Sequence, residues 1–489
     1  MIQWENPFSS YPLLALSSNP PSEIDDSSAR AQIKIAEEEI HKLDVELSLI
    51  LARRAYLVSR LGRCRQVIAP YKKLPTELVR KILLLCVPKV RLEPQNPPKQ
   101  AVETINLRLQ ITQVCAKWRE IAFSEPALWD LIIIPKHNYI ELATAWFHQS
   151  SCSKIGLAVQ QESTLFERFS LAPLSQIIDK VIAPHTQRQV SLSLTVDKPL
   201  LERISHQSFE ILESLALDLD TMDPSHWEES DLHFKKPTPC LRSVYISMPS
   251  GILDERLCLG LPLSQLTELK LDWYIVAADL VRVLNQCALL EKCAVRSVYE
   301  RRIIGDESLP CAFPNTNILL PHLRCLEITL TPAVRFLLYL LETPNLLSLQ
   351  TDINFSSSES HSYLRHLRKL RRIMISGTDE DGFIDEGFLS SIPASVEVCQ
   401  PIYPFRPFTL LKIGAGDLLP KVETLELRES DPRLVLDMLG ARLASSHARP
   451  GSISHIKALV LHCADGEGEF HLEFDAWRLM GMDIRVVPW

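Results

Sequence analysis

Histidine and cysteine are the residue types through which this sequence could bind a metal ion or attack a substrate. Two pairs are close in sequence, His361 with His366 and His462 with Cys463, but neither pair completes a four-ligand zinc site. Residues 287 to 293 carry two cysteines in an apolar helical pattern, which favours packing over a nucleophilic thiol. Glycine-rich phosphate loops and the His-Glu-x-x-His motif are absent from the 489 residues. The sequence therefore predicts no enzyme, no metal site and no cofactor.

Residues 74 to 129 indicate a binding role instead, in which apolar side chains are buried against a partner. Pro75 suits the first position of a helix, and Glu77 places a negative charge in its first turn. Apolar residues then recur at helical spacing, at Leu78, Val79, Ile82, Leu83, Leu85 and Cys86. Pro88 ends this pattern, which predicts a helix of about three turns.

A second apolar stripe, stepping by four and three residues, predicts a single helical face. Its members are Leu107, Ile111, Val114, Trp118 and Ile121. Between the two helices, three prolines in a polar setting predict a loop over residues 89 to 104. Any pair of helices packed in a core would show this periodicity. What distinguishes this segment from a generic helix pair is the order of three short motifs, Leu74-Pro75, Val114-Cys115-x-x-Trp118-Arg119 and Pro126-x-Leu128-Trp129.

That order of motifs resembles an F-box, the helical module by which substrate receptors dock onto the Skp-type adaptor of a cullin-based ubiquitin ligase. The resemblance covers residues 74 to 129 only, and the connection between the helices is longer than in most F-boxes. It implies that apolar and tryptophan side chains carry the adaptor contact. The residues expected to bind the adaptor are Leu74, Pro75, Leu78, Ile82, Val114, Trp118, Leu128 and Trp129.

Upstream of these motifs, a heptad repeat predicts a long helix over residues 29 to 66. Its seam residues are Ile33, Ala36, Ile40, Leu43, Leu47, Ile50, Arg54, Leu57 and Leu61. Such a helix either forms a coiled coil that makes the chain a homodimer or lies along another part of the same chain. An acidic half, residues 37 to 46, precedes a basic half, residues 53 to 65. This polarity favours antiparallel self-association, although a solvated face with local charge pairs would look the same.

Beyond residue 131, the chain is expected to be a repeat array. An apolar residue recurs at positions 1, 4 and 6 of windows that begin about every 25 residues. Nine windows begin at Leu212, Leu241, Leu266, Leu290, Leu323, Leu346, Leu370, Val422 and Ile456. This spacing is typical of leucine-rich repeats, in which each copy adds one short strand to a parallel sheet and returns through a helical segment. The return segments predicted here include Ala277 to Leu290 and Pro332 to Leu341.

Strand residues that alternate with the buried positions would project from the concave face of such an array. The candidate substrate-binding residues are Asp218, Tyr245, Lys270, Asp272, Glu327, Gln350, Glu426, Arg428 and His462. Mixed charge with a tyrosine fits a protein partner, and solvated strand positions would have the same composition. Because the polar residue that often follows each repeat strand is mostly missing, the array is expected to be irregular.

Composition disfavours several other classes of partner. The net charge of −8 gives no electrostatic reason to bind nucleic acid. Twelve cysteines without a Cys-x-x-Cys pair are typical of reduced, mostly buried thiols. The N-terminal residues lack a basic start and an apolar run, so we expect no membrane segment and a cytoplasmic or nuclear location. Residues 1 to 28, rich in Ser and Pro, are expected to be a disordered tail.

The fold class predicted from these patterns is α/β. A coiled-coil-like N-terminal helix precedes a small all-α F-box over residues 70 to 130, and an irregular leucine-rich-repeat solenoid occupies residues 131 to 489. The resemblance implies the substrate-recognition subunit of a Skp–cullin–F-box E3 ubiquitin ligase, which binds the adaptor, through it a cullin, and also a protein substrate. The alternative is a ligase-independent scaffold that uses the same modules for protein binding.

Overall fold

The structure is a computed structural model, and it describes residues 23–68, 73–87, 98–134, 140–149, 154–159, 172–196, 198–219, 234, 236–252, 260–299, 317–330, 337–351, 363–376, 381–463 and 470–488. The chain divides into two compact units, Met1–Val79 and Arg80–Trp489. Most of the expected N-terminal tail lies outside the described residues. Its predicted end at residue 28 is wrong, because the chain is already helical from Glu23.

Helix α1 spans Glu23–Ile68, 46 residues in one piece. The segment contains no proline and is rich in Ala, Leu, Glu and Arg, which are strong helix formers. The predicted helix over residues 29 to 66 is therefore confirmed and extended at both ends. From Ser27 to Arg65 every side chain of α1 is exposed to solvent.

The segment that carries the three short motifs forms α2 (Thr76–Cys86), α3 (Pro98–Gln113), α4 (Ala116–Phe123) and a 3₁₀ turn (Pro126–Leu128). The prediction that one helix carries the stripe from Leu107 to Ile121 is wrong, because Cys115 has extended backbone angles and caps α4. The Cys115 Sγ accepts a hydrogen bond from the Trp118 backbone N–H at 3.5 Å. The predicted loop is also wrong over residues 98 to 104, since Pro98 begins α3, a position where proline is tolerated.

Strands in the described residues are numbered in chain order. They are β1 (Leu131–Ile134), β2 (Ile155–Val159), β3 (Gln189–Val196), β4 (Ser214–Leu219), β5 (Ser243–Ile252), β6 (Glu268–Val276), β7 (Lys292–Tyr299), β8 (Ile318–Leu319), β9 (Cys325–Leu330), β10 (Leu341–Glu342), β11 (Ser348–Thr351), β12 (Arg372–Ile375), β13 (Val398–Pro401), β14 (Thr424–Arg428), β15 (Ala458–Cys463) and β16 (Asp483–Pro488). Fourteen of them form one sheet in sequence order, while β8 and β10 pair separately. Neighbouring strands of the large sheet are parallel, for example Leu269 opposite Cys293.

The apolar windows coincide with these strands. In the window that begins at Leu266, the side chains of Leu266, Leu269 and Leu271 are all fully buried, and the other eight windows are buried in the same way. The structure adds one window that the sequence reading missed. Val396, just before β13, and Cys399, within β13, are buried, and β13 pairs in register with β12 and β14. The regular ladder thus continues where the sequence pattern left a gap.

Helices occupy many of the connections between the parallel strands. In the described part of the unit Arg80–Trp489 they are α5 (Ile140–Gln149), α6 (Ala172–Ile177), α7 (Lys198–Ser205), α8 (Ala277–Leu284), α9 (Leu337–Leu340), α10 (Glu386–Ser391), α11 (Pro407–Ala415), α12 (Pro432–Ala448) and α13 (His471–Leu479). A turn of π-helix (Ile178–Ile182) continues α6. The two predicted helical returns contain α8 and α9. Helices between parallel strands make the protein α/β, as predicted.

A buried arginine connects the C-terminal returns. Arg442 lies on α12 with its side chain almost fully buried. Its guanidinium donates hydrogen bonds of 2.7 to 2.9 Å to the carbonyls of Ile413, Leu419, Pro420 and Ser454. Burial, with a smaller contribution from a neighbouring cation, lowers the pKa of Arg442 to about 10. The Arg442 side chain therefore links, through hydrogen bonds, connecting segments that lie outside the strands. This linking is here called its staple role.

Candidate functional site

Helix α2 carries apolar side chains on two faces. Val79 and Leu83 are fully buried. Leu78, Ile82 and Leu85 are four and three residues apart and form a second row, the outer stripe. Leu78 is 49% exposed and Leu85 is 77% exposed, while Ile82 is partly buried. Exposed apolar rows of this kind are typical of protein contact surfaces.

The start of α2 follows the predicted pattern. The Pro75 carbonyl accepts a hydrogen bond from the Val79 N–H at 3.1 Å, so Pro75 immediately precedes the first turn of the helix. Pro75 is exposed, and Leu74 before it is partly buried. Both predicted residues are therefore adjacent in sequence to the outer stripe. Leu85, which completes the stripe, was not among the predicted contacts, although its spacing from Leu78 and Ile82 could have indicated it.

Two further predicted adaptor residues lie at the break between α3 and α4. Val114 is 43% exposed, and Trp118 is partly buried. Across the break, the Arg119 Nε donates a hydrogen bond of 3.0 Å to the Thr112 carbonyl. This bond and the Cys115 cap fix the angle between the two helices. Val114 thus presents its side chain from a corner rather than from the middle of a helix.

Leu128 and Trp129 have a different role from the one predicted. Both are at least 97% buried, because their side chains are only 3% and 1% exposed. The Trp129 indole Nε1 donates to the Ala122 carbonyl at 2.8 Å, and its ring stacks on Phe123 with the centroids 5.5 Å apart. The prediction that these two side chains contact an adaptor directly is corrected, since burial gives them a packing role.

Arg108 joins α3 to the first strand of the sheet. Its side chain is buried, and Nη1 donates a hydrogen bond to the Leu131 carbonyl on β1. The Asp130 carboxylate lies 3.7 Å from Nη2. Burial lowers the pKa of Arg108, and the negative charge of Asp130 opposes that shift. The helices after residue 98 are therefore attached to the edge of the sheet.

A cavity of about 1020 Å³ lies between the second half of α2 and the first strands. Its helical wall includes Lys81, Leu84 and Leu85, and its strand wall includes Tyr245 and Lys270. Both walls belong to the unit Arg80–Trp489. The cavity thus connects the end of the outer stripe with the face of the sheet that carries the predicted substrate-binding residues.

All the predicted substrate-binding residues lie on one face of the large sheet, here called the polar face. Each of them alternates along its strand with a residue of the buried core, but Tyr245 and Asp272 are themselves buried, with side chains only 6% and 7% exposed. They are Asp218, Tyr245, Lys270, Asp272, Glu327, Gln350, Glu426, Arg428 and His462. The parallel register aligns Tyr245 with Lys270 on the next strand. Side chains from neighbouring strands therefore meet in clusters on this face.

The tyrosine cluster consists of Asp218, Tyr245, Lys270, Asp272 and Arg296. The Tyr245 hydroxyl donates to Asp272 Oδ2 at 2.9 Å, and Arg296 Nη1 lies 3.1 Å from Asp272 Oδ1. Lys270 Nζ lies 5.1 Å from the centroid of the Tyr245 ring. Burial first, and then the hydrogen bond to Asp272, raise the pKa of Tyr245. Arg296, at an alternating position of β7, was missed by the sequence reading.

The histidine cluster consists of Gln400, Glu426, Arg428 and His462. One oxygen of the Glu426 carboxylate lies 2.8 Å from His462 Nε2 and 3.6 Å from Arg428 Nη2. The other oxygen accepts a hydrogen bond from Gln400 Nε2 at 3.0 Å. The carboxylate is thus surrounded by donors on three strands, which fixes its orientation.

The structure does not bring the two clusters together. Between β6 and β14 there are six strand spacings, about 30 Å along the sheet. Glu327 and Gln350 lie in between, and Gln350 Nε2 donates to Glu327 Oε1 at 3.3 Å. The polar face therefore offers two ordered polar groups and a connecting pair, which suits contact with an extended or folded protein surface.

The described residues contain no arrangement that suits nucleophilic or metal chemistry. Cys287, Cys293 and Cys399 are buried, and burial raises the pKa of each thiol, to about 12 for Cys287 and Cys399. Within the described ranges, no group of three His, Cys, Asp or Glu side chains could hold a metal ion. His462 is bonded to Glu426, and Cys463 beside it is buried. His361 lies outside the described residues.

Comparison of the sequence with models of known protein families and with curated protein sequences gives no match. In the part of the chain that the structure describes, no helix is both long enough and apolar enough to cross a membrane.

Proposed function

We propose that this chain is the substrate-recognition subunit of a Skp–cullin–F-box E3 ubiquitin ligase and performs no covalent chemistry itself. The observation that carries the proposal is the outer stripe of α2. Three apolar side chains, Leu78, Ile82 and Leu85, follow directly after Leu74-Pro75, and two of them are at least 49% exposed. Folded proteins rarely expose such an apolar row unless a partner protein covers it in the complex.

The energetics of the stripe support a docking role. Full burial of a leucine side chain in an interface is worth about 1.5 to 3 kcal/mol, so Leu78 and Leu85 together would contribute a substantial part of an adaptor affinity. Val114, 43% exposed at the corner between α3 and α4, would contribute a further apolar side chain. Leu128 and Trp129, in their packing role, would hold that corner in place.

The large sheet is proposed to be an irregular leucine-rich-repeat solenoid whose polar face binds the substrate. Support comes from the repeated burial of the windows and from the strand order, in which each strand follows the previous one in sequence. Side chains held on strands by hydrogen bonds, such as Gln350 and Glu426, lose little conformational entropy when they bind. The polar face would therefore recognise a protein substrate with a preorganised surface.

The mechanism of such a receptor is proximity. The chain would hold a substrate on the polar face and an adaptor on α2, and through the adaptor a cullin that carries a ubiquitin-charged conjugating enzyme. Tethering raises the effective concentration of a substrate lysine near the activated ubiquitin, which accelerates transfer without a catalytic residue in this chain. The proposed location is the cytoplasm or the nucleus, where ligases of this class and their substrates meet.

The test is capture of purified Skp-type adaptor by the full chain carrying Leu78→Asp and Leu85→Asp. Two charges on the stripe should weaken adaptor binding by at least about 100-fold, because each buried carboxylate would lack a partner. The matched control carries Leu411→Asp and Leu472→Asp, which change exposed leucines on α11 and α13. The control should bind the adaptor like the wild type, and both variants should keep the wild-type circular dichroism and melting temperature.

Capture of the adaptor at the wild-type level by the stripe variant would contradict the proposal. A wild-type chain that captures the adaptor but no cullin from a reconstituted mixture would instead favour the ligase-independent scaffold. The same mixture, supplied with conjugating enzyme and ubiquitin, should modify bound substrates only when both Leu78 and Leu85 are intact.

A further inference from the structure

Helix α1 is an exposed helix with a large apolar surface. Side chains between 48% and 66% exposed include Ile33, Ile35, Ile40, Leu43, Val45, Leu47, Leu49, Ile50, Leu51, Tyr56, Leu57, Val58 and Leu61. Helices in water obtain most of their stability from packing of one face, and isolated ones remain only partly formed. A helix of 46 residues with this composition is therefore expected to be covered by a partner.

The exposed surface has the period of a two-stranded coiled coil. Ile33, Ile40, Leu47, Arg54 and Leu61 repeat every seven residues and occupy the position called a. Ala36, Leu43, Ile50 and Leu57 occupy the position called d, three residues later in each heptad. A strict seven-residue repeat keeps both positions on one seam as two helices wind around each other. The remaining question is which helix lies on the other side of the seam, and in which direction.

The small and the large seam residues of α1 complement each other in only one orientation. In an antiparallel pair, an a position faces a d position of the partner. When Leu43 faces the partner's Leu47, the same register sets Ile40 against Ile50, Ile33 against Leu57 and Ala36 against Arg54 of the partner subunit. The long Arg54 stem then lies against an alanine, which leaves room for its guanidinium to reach water. The one polar seam residue thus faces the smallest one.

A parallel pair would place the same residues poorly. Arg54 would face the partner's Arg54, and two guanidinium groups on one seam layer repel each other in a partly desolvated position. Beside the seam, Glu39 would face Asp44 of the partner subunit in the parallel pair, and Arg53 of the partner subunit in the antiparallel one. The antiparallel pair does bring Asp44 and Glu46 each near its own copy at the centre, but there the charges are solvated and interact weakly.

We propose that α1 forms an antiparallel coiled coil with α1 of a second copy of this chain, with Leu43 and Leu47 packed across the two-fold axis. The occupant is a second copy because the complementary features, Ala36 opposite Arg54 and Glu39 opposite Arg53, are both within this one helix. The inference is independent of ubiquitin ligase activity, since it rests on α1 alone.

The first test measures the mass of the full chain in solution by light scattering after size exclusion. The wild type should have twice the chain mass at micromolar concentration. Leu43→Lys with Leu47→Lys puts four charges into the central layers and should convert the dimer to monomer. The matched control, Val45→Lys with Leu49→Lys, changes apolar residues of the same helix that lie off the seam, and it should remain a dimer.

A second test decides the direction, in chains that carry Cys64→Ser. Chains with Ile33→Cys are mixed with chains with Leu57→Cys and oxidised, and the chain without either change gives the background of the other cysteines. In the antiparallel pair the two new thiols meet and a disulfide-linked heterodimer forms. Ile33→Cys alone should give no extra cross-link, because the two copies of position 33 are about 36 Å apart along the axis.

Three results would overturn the proposal. A wild-type chain that stays monomeric at all concentrations would mean that α1 is covered within its own chain or not at all. Equal dissociation of the seam variant and the off-seam control would mean that the heptad seam is not the interface. Efficient cross-linking of Ile33→Cys with itself would mean that the helices run parallel.

Discussion

Helix α1 and the large sheet use the same apolar residue types in opposite ways. Leu43 on α1 is 59% exposed, whereas Leu425 on β14 is fully buried. In the sheet, each strand brings its own apolar row to the rows of its two neighbours, so the chain covers its own core. On α1 an equally regular row is exposed to solvent from Ser27 to Arg65. Periodicity alone shows which residues share a face, and the surrounding chain decides whether that face is covered.

The largest expected difference between the two regions is in the free energy of unfolding that is lost when a leucine is replaced by alanine. Leu425→Ala should lower the free energy of unfolding of the sheet by about 2 to 5 kcal/mol, because it leaves a cavity in a closed core. Leu49→Ala on α1, which lies off the heptad seam and is 66% exposed, should change the same quantity by less than about 0.5 kcal/mol. Urea titration followed by tryptophan fluorescence measures this, since α1 contains no tryptophan. Equal losses in the two variants would contradict the contrast.

Arginine should show the same contrast. Arg442→Lys should lower the free energy of unfolding by about 2 to 4 kcal/mol, because one ammonium group cannot reach the carbonyls that the guanidinium bonds, and buried acceptors stay unsatisfied. Arg54→Lys on the exposed α1 should be nearly neutral in the same urea titration. If Arg442→Lys were as stable as the wild type, the staple role of Arg442 would be wrong.

The polar face of the sheet should also be ordered enough to affect stability. Tyr245→Phe removes the hydrogen bond to Asp272 and should cost about 1 kcal/mol at pH 7. The pKa of Tyr245 is raised above its ordinary value of 10.0, by burial first and by Asp272 second. The folded chain therefore keeps a proton that the unfolded chain loses, and this stability is present below pH 10 and lost as the pH rises above it.

The measurement is the melting temperature of wild type and Tyr245→Phe between pH 7 and 11. The variant should start lower and lose less stability than the wild type in the alkaline range. Parallel pH curves for the two chains would mean that Tyr245 is not shielded in the folded state.

The smallest effect concerns thiols and changes no stability. Cys64 on α1 is exposed, whereas Cys293 and Cys399 in the sheet are buried. Because burial raises the pKa of Cys399 to about 12, little thiolate is present at pH 7.5. At a concentration low enough to keep the chain monomeric, a maleimide followed by mass spectrometry should label Cys64 without urea and Cys399 only in urea. Protection of Cys64 in the monomer would indicate that another part of the same chain covers α1 near that residue.

The sheet could be predicted from the sequence because its apolar windows repeat and need no long-range information. The window at Val396 escaped because Cys399 and Pro401 replace the usual leucines, and only the register between β12 and β14 reveals it. Burial of a strand position depends on its neighbours more than on its residue type. A window with few apolar residues can therefore still form a strand when the windows on either side of it match the repeat pattern well.

The helices between residues 74 and 129 were less predictable because their apolar pattern fits two structures. The stripe from Leu107 to Ile121 fits one helix, and the structure divides it at Cys115, where a local cap replaces helical bonding. The burial of Trp129 depends on ring contacts with Phe123 and with Trp146 on α5, which no local pattern encodes. On the polar face, alternation indicated the correct face. The pairing of Tyr245 with Asp272 and Arg296 required the register of three strands.

The strand order also has a consequence for how the chain folds. Each strand of the large sheet pairs with a strand that lies nearby in sequence, as Leu349 on β11 pairs with Ile373 on β12. Formation of this sheet therefore requires no pairing between strands from opposite ends of the chain. Closing short loops of about 25 residues costs little entropy, so the sheet can grow one strand at a time from any part that forms first. During synthesis the early strands can therefore pair while the later ones are still in the ribosome, and a late error would leave the earlier part intact.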